Sequence, residues 1–186
     1  MVWPINMLLL GLGAIAVNRD KGTFRRGVFL VLFVGIMIVP FVNSYVFGTR
    51  TIGLLGLSVY ILFYLQLFIE VLRQVTRTDE VTVRVILGAV CGYLILIVIA
   101  VFAFLLLDYW IPNSFNNLAG GSVPDKYIQV SYFSMITLST IGYGDITPAN
   151  DSARLLAAFF GITGQFYMVA LVGILISKFT SRNPKP

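Results

Sequence analysis

Apolar residues fall along this chain in five blocks, at about 2–17, 27–47, 51–72, 84–107 and 154–177, with polar residues collected between them. A helix needs about 20 mostly apolar residues to cross a bilayer. The last four blocks reach that length and predict spanning helices. The first is shorter and contains Pro4 and Asn6, and its cations, Arg19 and Lys21, follow it, which is the wrong order for a secretory leader. Whether it spans or lies in the interface is left open, and with it the side of the N-terminus. A shorter segment, 124–138, lies in the gap before the last block. It opens as Ser122-Val123-Pro124-Asp125, a helix-start pattern: a capping serine, a proline in the first turn and a carboxylate three residues on. The 13 residues from Lys126 to Leu138 make roughly 20 Å of helix, about half to two-thirds of a bilayer. Such a helix enters from one side, descends partway and must return.

Composition fixes the setting. Of 186 residues 58% are hydrophobic and 11% charged, against roughly 25% charged in a soluble domain. The chain reads as an all-α integral membrane protein of the multi-pass kind. Its net charge of +5 is no nucleic-acid footprint, because the cations cap apolar blocks. Arg19, Lys21, Arg25, Arg26, Arg73, Arg77, Arg84, Lys178, Arg182 and Lys185 share one side if the blocks alternate, leaving Arg50, Lys126 and Arg154 on the other. The richer side is expected to be cytoplasmic. Glu70 is expected to snorkel or to pair with Arg73. No span carries arginine at every third position, so no voltage sensor is expected. The chain has no histidine and one cysteine. Histidine-based catalysis, histidine metal sites and thiolate clusters are thereby excluded, and no enzyme activity or resident cofactor is expected. Cys91, inside an apolar block, reads as a small packing residue.

The return path of the half-length helix is Thr137-Leu138-Ser139-Thr140-Ile141-Gly142-Tyr143-Gly144-Asp145. Bare backbone polar groups at that depth cost several kcal/mol each unless they face protein or water. A row of carbonyls aimed one way can replace the water around an alkali cation. Aiming successive carbonyls alike requires left-handed backbone at every second residue, which is cheap for glycine, and Gly142 and Gly144 have that spacing. One strand cannot surround an ion, whereas four copies around an axis can.

Thr140-Ile141-Gly142-Tyr143-Gly144-Asp145 resembles the potassium-channel signature, and the surroundings match: a re-entrant helix before it, Pro148 after it, and an inner helix from Arg154. The resemblance covers about 84–180. It implies a pore domain with outer helix 84–107, pore helix 124–138, filter 140–145 and inner helix 154–178, after two or three extra transmembrane helices in 1–83 and before a cytoplasmic tail at 181–186. The arrangement is similar to small bacterial potassium channels with added N-terminal helices. The implied roles follow residue by residue. The carbonyls of Thr140, Ile141, Gly142 and Tyr143, with the Thr140 hydroxyl, would coordinate K+, and Gly144 closes the filter. The Tyr143 ring would brace the loop against the pore helix, and Asp145 would sit at the outer mouth. Gly164 falls where a hinge glycine is common in the inner helix, although Gly161, Gly164 and Gly173 also suit close helix packing. Gln165, Met168, Val172 and Ile176 would line the cavity and gate.

Three positions depart from the family. Ile136 stands where some members carry a glutamate that pairs with the aspartate after the filter, so Asp145 needs another partner. Tyr132 and Phe133 replace tryptophans that clasp the filter tyrosine, so bracing at Phe133 rests on packing. The resemblance implies a homotetramer in the cell membrane passing K+ passively, in contact with lipid and not with nucleic acid. The segment after Ile176 is too short for a ligand-binding domain, so opening is expected to depend on the filter, inner helix, lipid, tension or an unidentified regulatory partner. Three alternatives stay open: a less selective cation channel, the ion-translocating subunit of a potassium uptake system, and a non-conducting subunit.

Overall fold

The computed structural model describes residues 34–35, 50–77, 83–120 and 123–182. The expected helices at 2–17 and 27–47 lie outside these, apart from Val34 and Gly35, both helical. The described elements run α1 (Arg50–Arg77), α2 (Val83–Trp110), β1 (Phe115–Asn116), α3 (Val123–Leu138), β2 (Thr147–Pro148) and α4 (Asp151–Arg182). Three of the helices, α1, α2 and α4, are long and apolar enough to cross a membrane. The chain divides into two compact units, 1–63 and 64–186, and α1 runs through the boundary. In the first unit Leu57, Tyr60 and Phe63 are buried. The second unit carries everything that positions the loop after α3.

Helix limits follow local chemistry. α3 occupies 123–138, one residue longer than its sequence signature suggested. α4 begins three residues before Arg154 because Asn150 caps it: the Ala153 N–H donates to Asn150 Oδ1 at 2.9 Å, and Asp151 meets the positive end of the helix dipole. α2 continues through Asp108, Tyr109 and Trp110 because Asp108 has partners there. Its carboxylate, 4% exposed, receives Lys126 Nζ at 2.5 Å on one oxygen and the Ser114 N–H at 3.1 Å on the other. Ser114 in turn donates through Oγ to the Ile111 carbonyl and accepts from Asn150 Nδ2 at 3.0 Å. One buried carboxylate thus joins the end of α2, the start of α3 and the cap of α4. Beside it β1 and β2 pair antiparallel, Phe115 opposite Pro148 and Asn116 opposite Thr147. This two-residue ladder is a small addition to the expected all-helical layout.

Aromatic packing fills the space behind α3. Phe104 of α2 sits edge-on to Phe115, Phe133 and Phe160 at centroid distances of 5.6, 5.1 and 5.5 Å. Phe115 and Phe133 close the cluster at 5.2 Å. Tyr64, in the second half of α1, stacks on Phe102 at 5.7 Å. Deeper along α2, the Tyr167 hydroxyl of α4 donates to the Ala89 carbonyl at 2.7 Å, which is possible because residue 92 is glycine. A Cβ at Gly92 would stand 2.2 Å from the Tyr167 oxygen. Cys91 is exposed in the single chain, contrary to its expected packing role. Near the end of α1, Glu70 accepts a long contact from Gln74 Nε2 at 3.4 Å.

α4 comes close against α3 at Gly164, where an added Cβ would lie 3.0 Å from the Leu138 carbonyl oxygen and 3.2 Å from its Cβ. Such contact suits the packing role of small residues between membrane helices. Gly164→Ala is expected to cost about 1–3 kcal/mol through overpacking against backbone, read as a lower thermal midpoint in detergent; an unchanged or higher midpoint would show that α3 yields freely. Asp108→Asn is expected to cost about 1–3 kcal/mol, since it leaves a half-buried Lys126 ammonium without its counter-charge. Adding Lys126→Met to that variant should recover part of the loss in the same measurement.

Candidate functional site

The loop after α3 begins at mid-depth of α4. Leu138 lies against Gly164, 13 residues into α4 and so about 20 Å from its start. The chain then climbs from Ser139 to Ile146 and regains the outer end at β2. Extended backbone covers about 3.3 Å per residue, so this segment is just long enough for that climb.

Its backbone alternates. Thr140, Gly142 and Gly144 have φ of +62°, +54° and +80°, whereas Ile141 and Tyr143 stay at negative φ. Glycine takes the left-handed region freely, and the two glycines have it as their spacing suggested. Thr140 does not: a β-branched residue there is strained, by about 1–3 kcal/mol. The reason lies in the end of α3. The Thr140 N–H donates to the Thr137 carbonyl at 3.1 Å and the Gly142 N–H reaches back to the Ile136 carbonyl at 3.0 Å. Thr140 therefore closes the helix as a left-handed C-terminal residue, a place usually held by glycine or asparagine. Sequence reasoning missed it, because threonine gives no such signal.

The N–H groups at the base of the loop are thus tied to α3, but among the described residues its carbonyls from Thr140 to Gly144 have no donor. The carbonyls of Thr140, Ile141, Gly142, Tyr143 and Gly144 accept no hydrogen bond from any other described residue. Residues 139–145 are all exposed in the single chain, Tyr143 at 72%. The negative end of the α3 dipole points at the base of this row.

The outer end of the loop is fastened from outside. Asn117 Nδ2 donates to the Asp145 carbonyl at 2.8 Å, and Asn116 Nδ2 to Thr147 Oγ1 at 3.1 Å. Gln129 of α3 holds the outer loop by accepting the Ala119 N–H at 2.8 Å. The Asp145 carboxylate, to which Ile136 offers no polar group, lies near the Tyr132 hydroxyl. Hydrogen bonding toward that carboxylate, before desolvation and its negative charge, pushes the Tyr132 phenol above its ordinary range. Ile136 and Phe133 are buried, Phe133 within the aromatic cluster. The Asn117 and Asp108 contacts were not foreseen. An asparagine that takes positive φ is a weak sequence signal, and the Asp108–Lys126 pairing spans 18 residues with no motif.

On α4, Gly164 faces Leu138, while Gln165 and Met168 are exposed in the single chain. Gln165 is an uncovered amide at the depth where the loop begins. Val172 and Ile176 continue along α4, but their side chains lie outside the description.

Residues 92–181 match the family model described as "Ion channel". "Two pore potassium channel b" of Oryza sativa subsp. japonica is 41% identical over 58 residues, 31% of this chain and 16% of the relative. "Two-pore potassium channel 4" of Arabidopsis thaliana is 25% identical over 99 residues, 53% of this chain and 35% of the relative. "Potassium voltage-gated channel subfamily KQT member 3" of Homo sapiens is 41% identical over 51 residues, 27% of this chain and 6% of the relative. The chain spans between about a twentieth and a third of the length of these relatives. Two spanning helices, a half-length helix between them and a loop of free carbonyls coincide with the matched span. Over residues 92–181, just under half of its length, the chain is similar to the ion-channel family, and these relatives carry the names of potassium channels.

Proposed function

We propose that this protein conducts K+ passively and selectively through a pore at the axis of four identical chains in the cell membrane. The observation that carries the proposal is the row of unpaired carbonyls from Thr140 to Gly144, with left-handed backbone at every second residue. Hydrocarbon cannot cover such a row. One chain cannot surround an ion with it, and fourfold repetition converts each carbonyl into a ring that replaces a hydration shell. The Thr140 hydroxyl adds a ring at the base. The Tyr143 ring, bare in one chain, then packs between the filter and a neighbouring pore helix, and Asp145 lines the outer mouth. The exposed amide of Gln165 just below fits a water-filled cavity better than lipid, with Met168, Val172 and Ile176 continuing the same helical face toward the cytoplasm. The relatives, each named as a potassium channel, point the same way. K+ is cargo here, and the mechanism calls on no resident cofactor.

In liposomes holding the purified protein and a potassium gradient, K+ flux well above Na+ flux and blocked by barium is expected. Equal K+ and Na+ flux would favour an unselective pore, and none would favour a silent subunit. Gly142→Ala places a side chain at φ +54° with no atom within 4 Å in one chain, so its cost is conformational, about 1–2 kcal/mol in each subunit. Selectivity or flux should be lost; unchanged selective flux would sink the carbonyl reading. Tyr132→Phe removes the partner of the Asp145 carboxylate while keeping the ring. Its currents should decline faster during sustained opening, and currents as steady as wild type would show that Asp145 needs no such partner.

A further inference from the structure

We infer that Asn117 is a positioning residue for the outer end of the filter, holding the first peptide beyond the carbonyl row from the loop between α2 and α3; this rests on the conduction reading above. The Asp145 carbonyl is the first after the free row, and the Asn117 side-chain amide donates to it at 2.8 Å. Asn117 itself sits at φ +59°, a left-handed conformation that asparagine tolerates. That turn directs its side chain away from the ladder formed by the residue before it. Asn116 pairs with Thr147 in that ladder and donates from Nδ2 to Thr147 Oγ1. Two consecutive amides therefore grip the chain on either side of Ile146, which is buried.

The grip is anchored in rigid structure. Phe115, the residue before Asn116, is buried in the cluster of Phe104 and Phe133. Ser114 is fixed to Asp108 and to the α4 cap at Asn150. The inner side of the filter offers Asp145 no polar group at Ile136, and among the described residues its carbonyl accepts from Asn117 alone. The backbone of Asp145 thus depends on Asn117. Gly144, at φ +80°, carries no side chain to resist rotation of the adjoining peptides. Holding the Asp145 carbonyl opposes that rotation and keeps the outermost ring of oxygens aimed at the axis. Without the amide, filters with turned outer carbonyls become more populated, most of all when external K+ is scarce.

The test compares Asn117→Gly, which keeps the left-handed backbone, with Asn117→Asp, which keeps the size and removes the donor. Asn113→Gly, at the other left-handed asparagine of this loop (φ +62°), is the control. Single-channel recording at low and high external K+ should show the conducting fraction falling about three- to tenfold in both Asn117 variants at low K+, the scale of one amide hydrogen bond. High K+ should restore it, and the control should match wild type. Hydrogen exchange on the assembled protein should be faster at residues 144–147 in both variants and unchanged in α2 and α4. Wild-type-like conduction and exchange in both variants would overturn the inference while leaving the conduction reading intact. Exchange that rises throughout the chain would make Asn117 a folding residue and overturn it equally. A wild-type protein that passes no K+ would overturn the conduction reading and this inference with it.

Discussion

A backbone carbonyl at the depth of a bilayer must point at a donor, at water or at a cation, because hydrocarbon offers it nothing. Between Thr140 and Gly144 five such oxygens in sequence have no donor among the described residues. Each costs several kcal/mol if it meets lipid. The rest of the second unit is arranged around that constraint. The half-length α3 carries the chain to mid-depth, Thr140 closes the helix, and the loop climbs back beside its own helix. The N–H groups at its base return to the helix end, so that the oxygens are the groups left over. Alternating left-handed backbone is the conformation that keeps them aimed alike, and the strain at Thr140 is one cost of it.

A loop that gives up internal hydrogen bonds needs a scaffold that does not move. Three independent fixings provide it, each at a different height. At the bottom, Gly164 lets α4 touch the backbone of Leu138. Behind the helix, Phe104 binds Phe115, Phe133 and Phe160 into one aromatic cluster, with edge-to-face contacts that contribute beyond their buried area. At the top, Asp108 gathers Lys126 and Ser114, and Ser114 in turn reaches Asn150. The buried ion pair adds little net stability by itself, and its geometric role is the larger one: it fixes the start of α3 relative to the ends of both spanning helices.

Much of this was legible in the residues. The helix-start signature at Ser122-Val123-Pro124-Asp125 located α3 to within a residue, because capping chemistry is local. The spacing of Gly142 and Gly144 announced alternating φ, because few other residues pay so little for it. Spanning helices showed in their length and composition, and their ends ran past the apolar blocks wherever a polar residue found a partner: Asp108 on α2, Asn150 before α4. What stayed hidden was non-local. Nothing near Asp108 in the chain announces Lys126, nothing near Asn117 announces Asp145, and Gly92 reads as an ordinary membrane glycine until Tyr167 crosses it. Thr140 was hidden for a different reason, since its conformation is imposed by the helix end against its own preference. Cys91 read as packed because its neighbours are apolar, yet it stands on an uncovered face of α2.

The arrangement of oxygens about an axis is the physical core of this reading, and an image of the assembly tests it most directly. The purified protein in potassium, determined by electron microscopy at side-chain resolution, should show four chains about one axis. Cation density should sit in a row between the rings of Thr140, Ile141, Gly142 and Tyr143 carbonyls. An assembly without a fourfold axis, or a loop whose oxygens turn toward protein with no cation between them, would contradict it.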